Sequence, residues 1–480
     1  MGKWTKDLKS EHFIGGKWVE GESDEVIKVV DKFSGELLKE IRLLGKQQYE
    51  LVTKTALDGF KEISTWKQED RANCLKLCAK FIQNHFKLFT DCIVAEAAKP
   101  ISYAKTEVNR AIFNLNWCAE EANRISGEVV PINFLGTNQR YSFTKRFPIG
   151  PILGISPFNF PLNLSLHKIG PAIAAGCSIT LKPSPHAPLT ALLLGEMALY
   201  AGIPDGALNI ILSDEETSEL LVRDDLFKCL SFTGSPKIGW YLKSISGNKK
   251  VLLELGGNAP LIIDKGVDVD SISDSILNGL FLYSGQICIS TQRVFLVEDV
   301  YEEALNALMT KMKSIGIGDP SDEDTILGPL INKAALERIE KWVAEAVEGG
   351  ATILSGGHCV DKDKNLYGPT LLTNVHDDMK VNCEEVFGPV GVVRRVSSFK
   401  EAIDLANQTQ FGLQAGVFTN NIENMKYAME RLEFGGVVFN SVAGFRVDNM
   451  PYGGIKNSGL GREGAKYAIE EFTEPRLFVI

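Results

Sequence analysis

The middle of the chain alternates short apolar runs with longer segments of helical spacing. From Gly150 to Asp264, the β-rich runs are separated by segments whose apolar residues recur every three or four positions. The predicted strands are PILGIS, CSITLK, ALNIIL, KCLSFT and APLIID, and the predicted helices are NLSLHKIGPAIAA, PLTALLLGEMALYAG and SDEETSELLVRD. Strands that alternate with helices are typical of βαβ units, so the pattern predicts a parallel sheet.

Helical patterns precede this region, and a second α/β series follows it. From Lys46 to Ile125, QYELVTKTALDGFKEI and DRANCLKLCAKFIQNHFKLF each show the single apolar face of an amphipathic helix. After Gly256, the runs VFLVED, GATILSGG, PTLLTNV, GPVGVVRRV, QAGVFTN and GGVVFN alternate with helical segments such as ALERIEKWVAEAVEG and IENMKYAMERL. The chain is therefore predicted to contain two α/β units.

Two segments belong to neither series. VVPINFLGTNQRYSFTKRFP predicts a β-hairpin, and the terminal FTEPRLFVI predicts a short apolar strand. Because an exposed strand edge is a template for pairing, both segments are candidates for contact between subunits. The alternative is an edge within one chain, and the pattern alone does not separate the two.

Composition and charge restrict the class of partner. A chain of 480 residues with 44% hydrophobic residues is long enough for two or more domains. A net charge of −10 argues against nucleic-acid binding, which depends on clustered Lys and Arg. The nine cysteines are scattered without metal-ligand spacing, and the chain has no signal-peptide pattern and no uncharged apolar stretch of about 18 residues. We expect a cytoplasmic protein with small-molecule partners, without membrane, nucleic acid or metal.

Cys288 is the first candidate for chemistry. It lies in LYSGQICISTQRVFL, between a glycine-containing break and a β-rich run. A thiol in such a loop is accessible to substrate, and its thiolate is a good nucleophile toward carbonyl carbon. The alternative is a cysteine that only packs in the core.

Glu254 and Asn159 are candidates of the same kind. Glu254 ends the apolar run VLLEL before Gly256, where burial would raise its pKa toward that of a general base. Asn159 in SPFNFP follows a strand and precedes a helix, so its amide could donate to a developing oxyanion. The alternatives are an ordinary acid at a strand end and a helix N-cap or turn residue.

SFTGSPKIG has the form of a strand-to-helix turn. Its backbone N–H groups and the following helix dipole suit a pyrophosphate, although it is not a GxGxxG fingerprint.

Taken together, these segments resemble the aldehyde dehydrogenase superfamily over nearly the whole chain. PFNFP, LKPSP, FTGSPKIG, LELGGNAP, GQICIS, EEVFGPV and MPYGGIKNSGLGREG occur in the family's order. The spacings from Glu254 to Cys288 (34 residues) and from Cys288 to Glu385 (97 residues) are also those of the family. The resemblance rests on all of these segments occurring in the same order, and no single motif establishes it.

The resemblance implies the catalytic roles. Cys288 would attack the aldehyde carbon, and the Asn159 amide and the Cys288 backbone N–H would hold the oxyanion of the thiohemiacetal. After hydride transfer to a nicotinamide, Glu254 would activate the water that hydrolyses the thioester. Glu463 in GREG would assist proton relay.

The resemblance also implies a site for NADP or NAD. Lys182 would contact the adenosine ribose, the Gly234-Ser235 turn the pyrophosphate, and Glu385 with Phe387 the nicotinamide ribose and ring. Leu255 would offer its carbonyl to the carboxamide. The complete predicted set is Ile155, Ser156, Pro157, Phe158, Lys182, Ser184, Gly234, Ser235, Leu255, Gly256, Glu385 and Phe387.

Pro185 departs from the family pattern. NAD-specific members commonly have a Glu at this place, three residues after the lysine, where it binds the ribose 2′-OH. Without that carboxylate, Lys182 is free to pair with a 2′-phosphate. We therefore predict that NADP is accepted.

The predicted substrate pocket is polar. His167 stands where members that prefer large apolar aldehydes often have Trp, and FRVDNMPYGG resembles the lactaldehyde and non-phosphorylating glyceraldehyde-3-phosphate branches. Arg446 and Arg110 are candidate anion clamps, whereas Ile287 stands where some phosphate-recognising relatives have Arg. An alternative for Arg446 is a salt bridge to Asp448 or another acid. The predicted substrate contacts are Arg110, Asn163, His167, Ile287, Ile289 and Arg446.

The implied fold is α/β, with a Rossmann-like cofactor domain, an α/β catalytic domain and a small β oligomerisation element. The predicted dinucleotide-binding domain is 1–125 with 149–255, and the catalytic domain is 256–455. The oligomerisation element is 126–148 with 471–480, and the assembly is expected to be a homodimer or homotetramer.

Two other functions compete with a hydrolytic dehydrogenase. In CoA-acylating relatives the thioester passes to CoA, but such members commonly lack the counterpart of Glu254. A non-catalytic structural protein on the same fold is the other alternative, and every catalytic position identified above is filled, which argues against it.

Overall fold

A computed structural model of the chain describes residues 5, 8–134 and 140–480. Its strands, in chain order, are β1 (His12–Ile14), β2 (Lys17–Val19), β3 (Val26–Val30), β4 (Leu37–Arg42), β5 (Ser142–Pro148), β6 (Ile152–Ile155), β7 (Ile179–Lys182), β8 (Leu208–Ile210), β9 (Cys229–Thr233), β10 (Lys250–Glu254), β11 (Ala259–Ile263), β12 (Thr291–Val297), β13 (Thr352–Ser355), β14 (Cys359–Asp361), β15 (Leu366–Tyr367), β16 (Thr370–Thr373), β17 (Val390–Val396), β18 (Phe411–Gly412), β19 (Gln414–Phe418), β20 (Gly436–Phe439), β21 (Ile455–Lys456), β22 (Gly459–Leu460) and β23 (Thr473–Val479).

The helices are α1 (Tyr49–Ile63), α2 (Gln68–Asn84), α3 (Phe86–Ala97), α4 (Ile101–Ala122), α5 (Asn163–Ala175), α6 (Leu189–Ala201), α7 (Glu215–Arg223), α8 (Pro236–Ile245), α9 (Val269–Phe281), α10 (Tyr301–Met312), α11 (Lys333–Glu348), α12 (Lys380–Cys383), α13 (Phe399–Asn407), α14 (Ile422–Arg431) and α15 (Ala465–Glu471).

The first sheet has the order β2-β1-β8-β7-β6-β9-β10-β22. Strands β8, β7, β6, β9 and β10 run parallel, while β1 and β22 join the two sides antiparallel. Almost every residue of β6 to β9 is buried, as expected for parallel strands covered by helices on both faces. The predicted parallel sheet is confirmed, and the carboxyl ends of its strands share one edge.

The second sheet has the order β13-β16-β17-β12-β11-β19-β20. Strand β11, which is the APLIID run, pairs in parallel with β12 and β19, so it belongs to this sheet and not to the first. The predicted α/β fold class is confirmed.

Helix α5 connects the fold to the site. All thirteen of its residues are buried, including the polar Asn163, His167 and Lys168. Buried polar groups need hydrogen-bond partners, so the residues that pack against these three side chains must supply donors or acceptors. One helical prediction differs in detail: the segment DRANCLKLCAKFIQNHFKLF is split at His85, whose φ of −111° and ψ of 24° separate α2 from α3.

The terminal strand pairs within the chain. β23 runs antiparallel to β5 along its whole length, from Thr473↔Pro148 to Val479↔Ser142. The predicted hairpin is partly present as a bridge between Val129 and Phe143, and its turn at 135–139 lies outside the described residues. Across the described part of the chain, every helix is too short or too polar to cross a bilayer.

Candidate active site

The side chains with candidate catalytic roles come from different elements of the fold. Asn159 follows β6, Glu254 ends β10, and Cys288 lies between α9 and β12. Beside the thiol is a cavity of about 90 Å³. Since one water needs roughly 10–15 Å³ on this measure, the cavity takes a small molecule of several heavy atoms. It is lined by Lys99, Tyr103, Thr106, Glu107, Arg110, Phe160, Asn163, Leu164, Leu282, Tyr283, Ile287, Cys288, Ile289, Gly444, Arg446 and Tyr452.

A tight loop presents Cys288. Tyr283, Ser284 and Gly285 have consecutive positive φ values of 50°, 55° and 70°. A side chain at Gly285 would place its Cβ 2.1 Å from the Gly388 carbonyl, so only glycine fits there. The Tyr283 hydroxyl donates to the Ala97 carbonyl (2.5 Å), which holds the loop in place. This over-determined conformation fixes the position of the thiol.

The Cys288 thiol is partly exposed to the cavity and contacts one hydroxyl. Its Sγ lies 3.1 Å from the Oη of Tyr452. Burial raises the pKa of the thiol to about 11, and the Tyr452 hydrogen bond opposes that rise. The free thiol is therefore protonated at neutral pH, so attack on a carbonyl depends on groups that favour the thiolate.

Asn159 lies directly behind the nucleophile loop. It is buried, and its Nδ2 donates to the carbonyl of Gln286 (2.8 Å), two residues before the thiol. An amide NH₂ carries two hydrogens, so this contact orients the group and leaves the second for an oxygen on the substrate carbon.

Glu254 is buried, and its Oε2 has no hydrogen-bond partner among the described residues. Burial, and then the nearby charge of Glu463, raise the pKa of Glu254 well above its usual value. A raised pKa makes the carboxylate form of Glu254 a stronger base toward a water molecule, as a general base requires.

The pKa of Glu463 is shifted in the opposite direction to that of Glu254. Burial alone would raise its pKa, but Lys168, whose Nζ lies 3.1 Å from Oε1, and the neighbouring His167 and Arg446 lower it to about 2. Glu463 is therefore an ionised partner of Lys168, which also donates to Ser231 and Thr233. This charge state does not suit a proton donor.

Three of the residues predicted to contact the substrate are instead hydrogen-bonded to Asp448. Arg110 donates to it through Nε (3.0 Å) and Nη2 (2.7 Å), Asn163 Nδ2 lies 2.9 Å away, and His167 Nε2 lies 2.8 Å away. Burial opposes ionisation of Asp448, but His167 and Arg110 hold its pKa far below the usual range. Arg110 is therefore neutralised by Asp448, and His167 lies behind the cavity wall.

Arg446 has a different set of neighbours. Its guanidinium lies 3.6 Å from the centroid of the Tyr452 ring, and its Nη2 is 3.4 Å from both Glu463 Oε2 and His167 Nε2. Its acidic partner is thus Glu463 and not Asp448. The Nε has no partner among the described residues, and the side chain is only 7% exposed.

The predicted cofactor residues gather at the carboxyl edge of the first sheet. Ile155, Lys182 and Gly234 end or follow the neighbouring strands β6, β7 and β9. The Ser156 N–H donates to the Lys182 carbonyl (3.1 Å), and the Gly234 N–H donates to the Glu254 carbonyl (3.0 Å). Pro157, Phe158 and Ser184 lie in the loops after these strands, and Leu255 with Gly256 follows β10.

These residues fit a dinucleotide. Helix α8 begins at Pro236, and the preceding Ser235 makes no side-chain cap, so the N–H groups of its first turn are suited to a pyrophosphate. Glu385 and Phe387 precede β17 of the second sheet. Glu385 accepts from the Gly257 N–H (3.0 Å), and the Phe387 ring packs edge-on against Phe158 at 6.0 Å.

Acidic groups also lie near the predicted ribose lysine. Burial lowers the pKa of Lys182, and Glu215 and Asp214 at the start of α7 oppose that shift. No group of three His, Cys, Asp or Glu side chains within the described ranges is arranged to hold a metal ion.

The comparisons with known proteins agree with this geometry. A family model described as "Aldehyde dehydrogenase family" matches residues 18–478. The chain belongs to the aldehyde dehydrogenase family. It is 39% identical over 470 residues to a 3-sulfolactaldehyde dehydrogenase of Priestia aryabhattai, covering 98% of this chain and 97% of that one.

Solved structures of aldehyde dehydrogenases are also similar. Aldehyde dehydrogenase 21 of Physcomitrella patens, in complex with the reaction product succinate, superposes with a TM-score of 0.95 at 37% identity over 98% of both chains. The glyceraldehyde-3-phosphate dehydrogenase GapN of Methanocaldococcus jannaschii, complexed with NADP, has a TM-score of 0.90 at 36% identity, covering 96% of this chain and 99% of that one.

Sequence reasoning missed several residues of this aldehyde dehydrogenase site. Lys99 and Glu107 form a fully buried ion pair (2.5 Å) in the cavity wall, and the Lys99 Nζ lies 3.4 Å from the centroid of Phe160. Tyr452 lies inside the MPYGG motif but carried no assigned role. Lys168 directly follows the predicted contact His167 in the buried helix α5. The signal in the sequence is that Lys168 is the one lysine in the otherwise uncharged and mainly apolar helical segment NLSLHKIGPAIAA.

Proposed function

We propose that this aldehyde dehydrogenase oxidises small aldehydes that carry an anionic group, such as a carboxylate or sulfonate, and releases the acid by hydrolysis. The coarser activity, NAD(P)-dependent oxidation of a small aldehyde, follows from its family and relatives. The anionic group is the proposal, and the charge balance of the cavity carries it.

The charge balance leaves one cation in surplus. Three buried or partly buried cations each have an anionic partner: Lys99 with Glu107, Arg110 with Asp448, and Lys168 with Glu463.

Arg446 is the fourth cation, and it shares Glu463 at a longer distance of 3.4 Å. Burial raises the pKa of Glu254, the other nearby acid, which makes it a weaker counter-charge than Glu463. Burial of an incompletely paired charge is costly, so an anionic substrate group beside Arg446 would stabilise the site.

The position of Arg446 also suits the reaction. Its guanidinium stacks on Tyr452, whose hydroxyl contacts the Cys288 thiol. A substrate anion held by Arg446 therefore places its aldehyde carbon within a short chain length of the nucleophile. Two related proteins support this class: one is named for 3-sulfolactaldehyde, and one was crystallised with succinate.

The residues of the chain then divide the chemistry. The Cys288 thiolate attacks the aldehyde carbon, the S–C bond forms, and the carbonyl electron pair moves to oxygen, where the Asn159 amide and the Cys288 N–H donate to it. When bound, NAD or NADP supplies the hydride acceptor. Glu254 then removes a proton from the water that hydrolyses the Cys288 thioester, and the thiolate is regenerated.

The residues that would hold the dinucleotide are those at the sheet edge. Lys182 would bind the adenosine ribose, the first turn of α8 the pyrophosphate, and Glu385 the nicotinamide ribose. Because Pro185 replaces a carboxylate, we expect NADP to be accepted, as the NADP complex of a similar structure supports. A ratio of kcat/KM for NAD over NADP far above ten would contradict this expectation.

We also propose a cytoplasmic homodimer or homotetramer. All nine cysteines are free, which suits a reducing compartment. Leu477, Phe478 and Val479 on β23 and Phe143 on β5 expose apolar side chains, which suits a surface covered by a second copy. Light scattering on the purified protein tests this: a monomeric mass at micromolar concentration would contradict it.

A panel of aldehydes tests the proposed substrate class. We expect kcat/KM to be at least tenfold higher for succinic semialdehyde than for 4-methylpentanal, an uncharged aldehyde of similar shape. Lactaldehyde, glyceraldehyde-3-phosphate and 3-sulfolactaldehyde define the anion further. Equal values for charged and neutral aldehydes would refute the proposal, and a strict requirement for CoA would replace hydrolysis by acyl transfer.

A further inference from the structure

Tyr452 is placed to act on the nucleophile. Its Oη is 3.1 Å from the Cys288 Sγ, and both line the same cavity. Its backbone N–H donates to the Glu463 carbonyl (3.0 Å) and its carbonyl accepts from the Glu463 N–H (2.7 Å), so the main chain is held on both sides. The ring is buried, with the Arg446 guanidinium stacked against one face. The hydroxyl therefore has little freedom to turn away from sulfur.

We infer that Tyr452 is a catalytic residue whose hydroxyl donates a hydrogen bond to the Cys288 thiolate and thereby raises the fraction of enzyme ready to attack. This rests on the proposed function, in which Cys288 is the nucleophile. A thiolate sulfur is only an acceptor, so in that state the phenol must be the donor. A hydrogen bond to a charged partner is stronger than one to a neutral partner, so it favours the thiolate over the thiol.

The electrostatics support this direction. Burial raises the pKa of Tyr452 well above its usual value, so the phenol keeps its proton while the thiol ionises. The charged groups that face the thiol besides Tyr452 are Arg446, which lowers its pKa, and Glu385 and Glu254, which raise it. The cation stacked on the ring also makes the phenol a better donor.

The hydroxyl does not transfer its proton in the first step. As the S–C bond forms, the negative charge leaves sulfur for the carbonyl oxygen, and the hydrogen bond to sulfur weakens. When the thioester is hydrolysed, the same contact stabilises the departing thiolate. Tyr452 thus acts at both ends of the covalent cycle while its proton stays on oxygen.

The pH dependence of alkylation tests this role without any aldehyde. The holoenzyme and Tyr452→Phe are treated with iodoacetamide from pH 6 to pH 11, and the rate is followed on the peptide that contains Cys288. Loss of the donor should raise the thiol pKa by about one unit. Burial holds the pKa of the Cys288 thiol at about 11, so most of it is protonated below pH 10. Because thiolate nucleophilicity rises with pKa with a slope of roughly 0.4–0.5, the alkylation rate of the variant should be about threefold lower throughout that range.

Two further variants make the test decisive. Tyr103→Phe removes a hydroxyl from the same cavity and should leave the alkylation profile unchanged. Tyr452→3-fluorotyrosine keeps the ring in place with a more acidic phenol and should shift the thiol pKa downward. An unchanged profile in Tyr452→Phe, or the same shift in Tyr103→Phe, would overturn the role of Tyr452. Neither result depends on which aldehyde the enzyme prefers.

Discussion

Replacing Arg446 by Gln should remove the preference for anionic aldehydes. The guanidinium is 7% exposed, so its interaction with a substrate anion would be largely shielded from water. A hydrogen bond between charged groups in such a setting contributes about 1.5–3 kcal/mol. With a tenfold change for each ~1.4 kcal/mol, kcat/KM for succinic semialdehyde should fall about 10- to 100-fold relative to that for 4-methylpentanal.

The ratio of the two aldehydes is the informative quantity. Arg446 also lowers the pKa of the Cys288 thiol, so its loss lowers the thiolate fraction available to both aldehydes by the same factor. That common factor cancels in the ratio. Arg446→Lys keeps the charge and should recover part of the preference, whereas Arg124→Gln, at an exposed position after α4, should change neither value. A parallel loss for both aldehydes in Arg446→Gln would refute the anion-binding role.

Three other predictions concern hydrolysis, stability and cofactor. Glu254→Gln should leave a burst of about one reduced cofactor per active site and slow the steady state by roughly 10²- to 10⁴-fold, and an unchanged steady state would exclude Glu254 as the base. Lys99→Met should lower the free energy of unfolding in urea by about 3–5 kcal/mol, because it leaves the Glu107 carboxylate buried without its cationic partner. The double variant Lys99→Met with Glu107→Gln should recover part of that loss. A Lys99→Met variant as stable as the unchanged protein would contradict the prediction. Pro185→Glu should reduce kcat/KM for NADP more than for NAD, and an unchanged ratio would show that the cofactor ribose is recognised elsewhere, for instance through Lys182 alone.

The first sheet was largely predictable from the chain. Strands β6 to β9 and helices α5 to α7 fall within the predicted segments, because buried parallel strands are short continuous apolar runs and the helices between them keep their own period. The break at His85 was not predictable, since apolar residues continue at helical spacing on both sides of it. The partner of the terminal strand was left open because pairing register depends on tertiary contacts.

The catalytic residues that lie in recognisable sequence motifs were predictable. Asn159, Glu254 and Cys288 were predicted from their positions in ordered segments. In the structure Asn159 donates to the Gln286 carbonyl in the loop that carries Cys288, and Glu254 lies close enough to Cys288 to raise the pKa of its thiol. Asp448 and Tyr452 were not predictable, because their partners lie far away in the sequence. Asp448 binds Arg110, 338 residues away, and Tyr452 contacts Cys288, 164 residues away. No spacing rule connects residues so far apart. The partner of Arg446 was open for a different reason: the sequence does not show which nearby acid, Asp448 or Glu463 (17 residues away), faces the guanidinium.

The most direct test of the account is to trap the covalent intermediate. Glu254→Gln is mixed with succinic semialdehyde and NAD or NADP, quenched in acid within one turnover and analysed by mass spectrometry of its peptides. We predict a single succinyl thioester on the peptide that contains Cys288, formed only when the cofactor is present. An adduct on another residue, or turnover without any acyl-enzyme, would contradict the assignment of Cys288 as the nucleophile.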